Sequence, residues 1–179
     1  METQTDRRLR FFTSHGNCLI IGVDELPEAR LTAKATNLNS LVQLEKGEEI
    51  VACFDEVKDD TLVFFTALGN PKRTEGKEFD LRTKKTAAIA LKDDDRVIAV
   101  EKQDETAGTV IMISKGGMSI RFATDTVPVM GKGAGGVKCM KLDEGDRVIF
   151  AAQIADEGEI LTISDRGYAK RSLVFDYEI

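Results

Sequence analysis

Histidine, cysteine and long apolar runs are scarce in this sequence. The only histidine is His15, which argues against a histidine-based catalytic triad and against most zinc sites. Cys18, Cys53 and Cys139 lie far apart and form no C-x-x-C pair, so we expect small core side chains in a reducing cytoplasm, without a disulfide framework. No apolar run reaches the length that spans a bilayer, and METQTDRRLRFF has no signal-peptide core, so no membrane partner is expected.

The overall composition is that of a folded, soluble chain. Hydrophobic residues make up 42% of the 179 residues and charged residues 31%, enough for one compact domain or a short array of repeats. The net charge of −6 argues against a nucleic-acid partner when it is taken alone. Binding responds to the local field, however, so the distribution of the charges decides.

A repeat of about fifty residues organises the whole chain. Each unit begins with an apolar run, then Thr or Ser, two variable residues and Gly. The four segments are RLRFFTSHGN (8–17), TLVFFTALGN (61–70), TVIMISKGGM (109–118) and EILTISDRGY (159–168). An apolar or aromatic residue follows each glycine ten positions later (Leu26, Phe79, Val127, Tyr177), and an acidic turn follows further on, as in LEKGEEIVA (44–52), LKDDDRVIA (91–99) and LDEGDRVIF (142–150).

These runs are short, rich in β-branched and aromatic residues, and bounded by Gly, Asn and Asp, which is typical of strands and hairpins. Only residues 25–36 could supply a helical turn. The sequence therefore predicts an all-β fold, a propeller-like array of four-stranded blades with a period of about 50 residues. We expect one partial domain, 1–179, with units at approximately 8–60, 61–108 and 109–158 and an incomplete unit at 159–179.

Charge alternates in phase with the repeat. Lysine and arginine concentrate in the connecting loops of 66–90 and 113–141, whereas the acids collect in the turns near 45–49, 93–95 and 143–146. If like positions of successive blades align, one edge of the array is basic and another acidic. A basic track of this kind is typical of nucleic-acid binders, although ordinary solvated faces explain the same pattern.

The stretch MGKGAGGVKCM (130–140) contains the spacing G-x-G-x-x-G at Gly131, Gly133 and Gly136. A dinucleotide site needs a helix after these glycines, and strand-like sequence follows instead, so we interpret the match as coincidental. In the repeat, 131–136 aligns with LTAKAT (31–36) and LRTKKT (81–86), which also carry lysine. The loop either lets a polymer's phosphates approach closely or uses glycine for its backbone conformation alone.

No group of residues resembles a catalytic site. Asp93, Asp94 and Asp95 fit a solvated hairpin tip better than a metal site, and Tyr168 and Tyr177 stand at packing positions of the repeat. We therefore expect no enzyme activity, no metal and no cofactor for this chain.

Several motifs in register resemble the C-terminal domain of the A subunit of DNA gyrase, with the homologous A subunit of topoisomerase IV a close second. They are ELPEARLTAK (25–34), VIMISKGGMSIRF (110–122), VMGKGAGGVKCMKLDEGD (129–146) and ILTISDRGYAKRSLVFDYEI (160–179). The resemblance implies a β-pinwheel, a propeller-like fold whose blades exchange strands. It also implies that double-stranded DNA wraps around a basic outer rim without sequence preference and that the module supports control of DNA supercoiling.

The resemblance implies in addition that the catalytic parts lie outside this chain, in the B subunit and the remainder of the A subunit. It further implies that the protein acts in the cytoplasm at the nucleoid. By blade position, the implied DNA contacts are Arg30, Lys34, Lys72, Arg73, Arg82, Lys84, Lys85, Arg121, Lys132, Lys138, Lys170 and Arg171.

The glutamine-arginine-glycine-lysine box of gyrase subunits, QRRGGKG or similar, does not occur in these residues. Gyrase and topoisomerase IV therefore both stay open, as does a propeller-like scaffold for protein partners without DNA binding.

Overall fold

The computed structural model describes residues 2–92 and 94–179, which form strands, short 3-10 turns and loops. The strands are β1 Arg8–Thr13, β2 Asn17–Gly22, β3 Ile50–Phe54, β4 Thr61–Thr66, β5 Lys72–Glu75, β6 Lys85–Ala87, β7 Val97–Lys102, β8 Thr109–Ser114, β9 Ser119–Ala123, β10 Val148–Ile154, β11 Glu159–Ile163 and β12 Ala169–Leu173. The 3-10 turns are Val23–Glu25, Leu38–Ser40, Gly76–Phe79, Thr124–Thr126 and Val174–Asp176. The predicted all-β class is confirmed.

Each repeat unit begins with an antiparallel hairpin that turns at its T-x-x-G or S-x-x-G motif. The hairpins are β1–β2, β4–β5, β8–β9 and β11–β12. The glycine amide donates to the carbonyl of the Thr or Ser three residues earlier, as from Gly69 to Thr66 at 3.0 Å. All four glycines have φ between 78° and 87°, which L-residues with side chains rarely adopt, and this explains why the column is glycine throughout.

The third stretch of a unit pairs with the sheet of the unit before it. β6 belongs to the second unit by sequence, yet it extends the first sheet, whose strand order is β3-β1-β2-β6. The third unit repeats this exchange, because the amides of Val137 and Cys139 donate to the carbonyls of Pro71 and Gly69. The four-strand unit that the local pattern indicates is therefore shared between neighbouring sheets, as the β-pinwheel resemblance implies.

We call the successive sheets blades 1 to 4, built on the hairpins β1–β2, β4–β5, β8–β9 and β11–β12. The last strand of a unit takes the edge opposite the exchanged one: β3, β7 and β10 pair with β1, β4 and β8. Because β7 contacts both β3 and β10, these last strands are neighbours from blade to blade. The exchanged segments consequently lie on the outer edges of the array.

The hydrophobic core is divided among the junctions between blades. Between blades 1 and 2, Phe12 packs edge-to-face on Phe64 and Phe79, with ring centroids 5.5 and 5.1 Å apart. Between blades 2 and 3, Val63 and Phe65 join the same cluster as Met112. Each blade is thus stabilised mainly by the apolar surface that it buries against its neighbours.

The other face of blade 1 is covered by the chain itself. Leu19 and Ile21 pack against Val42, with Leu38 and Leu41 beside them. The stretch 38–44 therefore takes the place that a neighbouring blade takes elsewhere in the array.

The cysteines are free, as the sequence predicts. Cys18 lies in the core, and burial raises the pKa of its thiol to about 12. None of the helical segments in the described ranges is long and apolar enough to cross a membrane.

Candidate nucleic-acid interface

Strand exchange brings the basic connecting loops of successive units onto the outer edges of successive blades. Arg82, Lys84 and Lys85 precede or begin β6 on the edge of blade 1. Lys132 precedes the segment that pairs with blade 2, and Lys138 lies within it. Lys132 is half-buried, and the other four are exposed. We call these five residues the outer basic edge.

Part of this charge is paired with carboxylates. Lys84 binds Glu25 at 2.6 Å and Lys85 binds Glu45 at 3.0 Å, both at the surface. Exposed ion pairs of this kind contribute little, so a phosphate can replace the carboxylate at small cost. In the described part of the chain, Arg82 and Lys138 have no carboxylate within ion-pair distance.

Arg30 and Lys34 lie in the counterpart of these loops in the first unit. Both are exposed, in a stretch without strand structure between the 3-10 turns Val23–Glu25 and Leu38–Ser40. They are available to solvent, but no sheet edge fixes their position.

Lys72 is buried completely and faces the protein interior. Its Nζ donates to the carbonyl oxygens of Gly131 and Lys132 at 3.1 and 3.2 Å and lies 5.3 Å from the centroid of the Phe64 ring. Burial lowers the pKa of Lys72 to about 8, and the nearby Glu78 carboxylate opposes that shift. Its bonds hold a loop of the protein, so a phosphate has no access to this ammonium group.

Three arginines join each blade to the next. Arg73 and Arg121 share one repeat position on the second strand of their hairpins, whereas Arg10 lies on β1, paired with the residue that holds that position in blade 1. Arg10 donates to the Phe79 carbonyl at 3.0 Å. Arg73 donates to the Val127 carbonyl at 2.7 Å, and Arg121 donates to the Tyr177 carbonyl at 3.3 Å. Each acceptor is the last residue of a 3-10 turn of the following unit or the residue directly after that turn, and we call this set the arginine clamps.

The clamps also account for two of the residues predicted to bind DNA. Arg121 is only 6% exposed and Arg73 is half-buried, and the guanidinium groups of both donate hydrogen bonds to protein acceptors. Arg171 occupies the same position in blade 4, where it is exposed and pairs with Glu159 at 3.1 Å. Lys170, exposed beside it on β12, stands at the repeat position of Lys72.

The glycine-rich stretch packs against protein backbone. A Cβ on Gly135 would lie 2.7 Å from the Ala90 carbonyl oxygen, and one on Gly136 would lie 2.8 Å from those of Asn70 and Pro71. Gly136 also has a φ of 86°. These two glycines therefore permit the exchanged segment to approach blade 2, and the segment that follows them is extended, without the helix that a dinucleotide site requires.

The acidic turns brace the hairpins. The Glu48 carboxylate accepts from the Thr13 hydroxyl at 2.5 Å and from the Asn17 side chain at 2.7 Å. Asp95 accepts from the Asn70 side chain at 3.1 Å. The recurring Thr and Asn of the hairpin motif are the sequence signal for this role, which the prediction of a solvated tip missed for Asp95.

The other members of the predicted acidic tip differ. Asp94 pairs with Arg147, and Asp93 lies outside the described residues. Oxygen and nitrogen atoms of His15, Glu45 and Glu48 lie within 4.8 Å of one another. Both Glu48 oxygens accept hydrogen bonds and Glu45 binds Lys85, so this group is explained by turn bracing.

Strands exchanged between neighbouring sheets, a repeated unit of about fifty residues and a hydrophobic core divided among the blade junctions together define a β-pinwheel. A family model described as "DNA gyrase C-terminal domain, beta-propeller" matches residues 11–54, 60–104, 108–155 and 158–179. The chain belongs to this family.

Curated relatives carry the names of two enzymes. The chain is 37% identical to the A subunit of DNA gyrase from Escherichia coli K12 over 93% of its length and 19% of the relative. It is 35% identical to the A subunit of DNA topoisomerase 4 from Streptococcus pneumoniae, over 94% and 21% respectively. The chain thus spans about a fifth of the length of the curated relatives it matches.

Solved structures agree with this assignment. The C-terminal domain of DNA topoisomerase IV superimposes with a TM-score of 0.92 at 27% identity, covering 99% of this chain and 57% of that one. A DNA gyrase A C-terminal domain gives a TM-score of 0.70 at 28% identity, covering 94% and 55%.

Proposed function

We propose that this chain is a non-catalytic module that binds and wraps duplex DNA along the outer basic edge, within the A subunit of a type IIA topoisomerase. The observation that supports it best is the strand exchange, because it sets exposed basic side chains of successive units on adjacent outer edges. Wrapping needs many weak phosphate contacts along a curved surface, and a repeated edge supplies them.

The proposed DNA contacts follow from exposure. The outer basic edge contributes Arg82, Lys84, Lys85, Lys132 and Lys138. The loop of the first unit adds Arg30 and Lys34, and blade 4 adds Lys170 and Arg171. Lys72, Arg73 and Arg121 are left out of the proposed contact set, because their donors are bound inside the protein.

In the parent protein, the partners of the module would be double-stranded DNA, the B subunit and the remainder of the A subunit, in the cytoplasm. We further propose that the four repeat units act as one domain, since every junction between consecutive blades is made by backbone or arginine bonds from one to the next. Control of supercoiling would follow from the path that the outer edge gives to the DNA.

Titration of duplexes of increasing length at several salt concentrations tests the proposal. Binding should strengthen with length, show no base preference and fall steeply with salt, with a slope of about −0.9 for each phosphate contact. The variant Arg82→Gln/Lys84→Gln/Lys138→Gln should lower the slope by about 2 to 3 and weaken binding at least about tenfold.

Lys58→Gln/Arg96→Gln/Lys115→Gln is the matched control, since it removes the same charge from exposed residues that do not belong to the outer basic edge. Equal losses of DNA affinity in the two triple variants would show that binding depends on net charge alone and not on the outer basic edge. Absent or salt-insensitive binding of DNA by the unmodified chain would contradict the proposal and favour a protein-interaction scaffold.

A further inference from the structure

Two residues of blade 2 bind the peptide group that joins Gly131 and Lys132, at the start of the glycine-rich loop. One contacts its carbonyl and the other its amide. The Lys72 ammonium donates to the carbonyls of Gly131 and Lys132, and the Glu78 carboxylate accepts from the Lys132 amide at 2.8 Å. Lys72 comes from β5 and Glu78 from the 3-10 turn that follows it, so both partners are fixed by the same hairpin.

This position of the repeat holds a lysine in blades 2 and 4, and only Lys72 of blade 2 is buried, since Lys170 of blade 4 is exposed. Leu19 and Ile120 occupy the corresponding site in blades 1 and 3, facing Phe11 and Met112 as Lys72 faces Phe64. Burying an ammonium group is costly unless it is fully hydrogen-bonded. The two carbonyls and the Phe64 ring supply partners for the Lys72 ammonium group. We therefore interpret Lys72 as a residue that binds the loop, where an apolar side chain would serve for packing alone.

We propose that Lys72 and Glu78 form a latch that fixes residues 131–132 and thereby positions Lys132 to contact a phosphate of duplex DNA. This inference rests on the proposed function of the outer basic edge. Lys138 lies further along the same segment but is held differently, because the neighbouring amides of Val137 and Cys139 donate to the blade 2 backbone. The latch should therefore affect Lys132 and leave Lys138 in place.

Amide hydrogen exchange on the DNA-free chain tests the latch by itself. Lys72→Met keeps the length of the side chain, and the apolar residues Leu19 and Ile120 show that this repeat position accepts one. We expect the Lys132 and Ala134 amides to exchange about tenfold faster, with Val137 and Cys139 unchanged. Lys77→Met removes an exposed lysine of the neighbouring turn, so exchange in the loop should stay as it was.

Duplex binding tests the positioning. Lys132→Gln should weaken binding about five- to tenfold at 0.1 M salt, as expected for one phosphate contact. Lys72→Met should cause a similar loss, the pair Lys72→Met/Lys132→Gln no further loss, and Lys72→Met/Lys138→Gln an additive loss.

The outcomes separate the two claims. Unchanged loop exchange in Lys72→Met overturns the latch. Faster exchange with unchanged DNA affinity, or full additivity with Lys132→Gln, overturns the positioning role. If the unmodified chain does not bind duplex DNA, the proposed function and the positioning role both fail, and the exchange result alone decides whether the latch exists.

Discussion

At the scale of single residues, Gly136 shows how the exchanged segment depends on backbone without a side chain. Its φ of 86° and its approach to the Asn70 and Pro71 carbonyls leave no room for a Cβ. We expect Gly136→Ala to lower the free energy of unfolding by about 1–3 kcal/mol, through backbone strain and the lost approach to blade 2. Urea unfolding followed by circular dichroism measures this.

Gly133 provides the matched control for that substitution. A Cβ there would meet no atom within 4 Å, and its φ is not in the left-handed region. Gly133→Ala should therefore change the unfolding free energy by no more than about 0.5 kcal/mol. Equal effects at the two positions would contradict the close-packing role of Gly136.

The Glu48 brace predicts an acid dependence of stability. Burial raises the pKa of Glu48, but hydrogen bonds from Asn17, the Glu45 amide and Thr13 outweigh it and hold the pKa below the usual 4.5. Because the folded pKa lies below the unfolded one, the stabilisation is present above about pH 4.5 and is lost as the pH falls through the folded value. Glu48→Gln should cost about 1–2 kcal/mol at pH 7 and less at pH 3.

Urea unfolding between pH 7 and pH 3 measures this difference, with Glu49→Gln as the control. Glu49 lies in the same turn but is exposed. A loss in Glu48→Gln that does not depend on pH would show that the carboxylate charge has no part in the brace.

At the scale of elements, the arginine clamps connect strands of one blade with the 3-10 turn of the next. Arg10 is almost fully enclosed, and its guanidinium also donates to the Asp55 carbonyl at 2.7 Å and to Asp80 at 3.1 Å. Arg10→Met leaves buried acceptors without donors, so we expect the unfolding free energy to fall by about 2–4 kcal/mol. Thermal and urea denaturation should agree on the loss.

Arg171→Met supplies the contrast of an exposed arginine, which stands in blade 4 at the repeat position of Arg73 and Arg121. The Arg171 side chain is 71% exposed and its partner is a surface glutamate, so the expected loss is below about 1 kcal/mol. If Arg10→Met were as mild as Arg171→Met, the clamp would contribute nothing beyond a surface ion pair.

The hairpins could be predicted from sequence because their determinants are local. A left-handed glycine three residues after Thr or Ser, following a short run of apolar and aromatic residues, specifies β4–β5 as well as β1–β2. The partner of β6 could not be found in this way, since a short strand such as Lys85–Ala87 carries no mark of the sheet that it joins. Only the family resemblance implied the exchange.

Some of the predicted DNA-contact residues are exposed and others are buried, and local sequence could not distinguish the two groups. Counting charges identified the basic loops, but it could not distinguish Lys85, at an exposed edge, from Lys72, inside a junction. A signal did exist for Lys72, because the apolar residues Leu19 and Ile120 stand at its position in blades 1 and 3. The buried state of Arg121 depended on acceptors more than fifty residues away, which no local pattern shows.

At the scale of the whole molecule, continuity of the peptide chain should not be needed to keep the blades together. Residues 104–106 form an exposed connection between β7 and β8, and blade 2 takes its outer strand from beyond that connection. We expect a chain cut at a protease site inserted after Glu105 to stay in one piece under native conditions. The two fragments should co-elute on size exclusion and separate only in denaturant.

An otherwise identical cut chain carrying Gly136→Ala and Arg73→Met supplies the contrast, because both changes act at the junction between blades 2 and 3. It should release its fragments at lower denaturant concentration. Spontaneous separation of the fragments of the unmodified cut chain would mean that the exchanged strand adds little cohesion.

Strand exchange also restricts how such a chain can change length. A whole unit carries the outer strand of the blade before it and receives its own from the unit after it, so excising any fifty-residue stretch in register rejoins compatible partners. Removal of half a unit would leave one sheet without its outer strand. We therefore expect chains of this architecture to gain or lose complete repeat units. The breakpoints should lie in connections such as 104–106 and not within the blades.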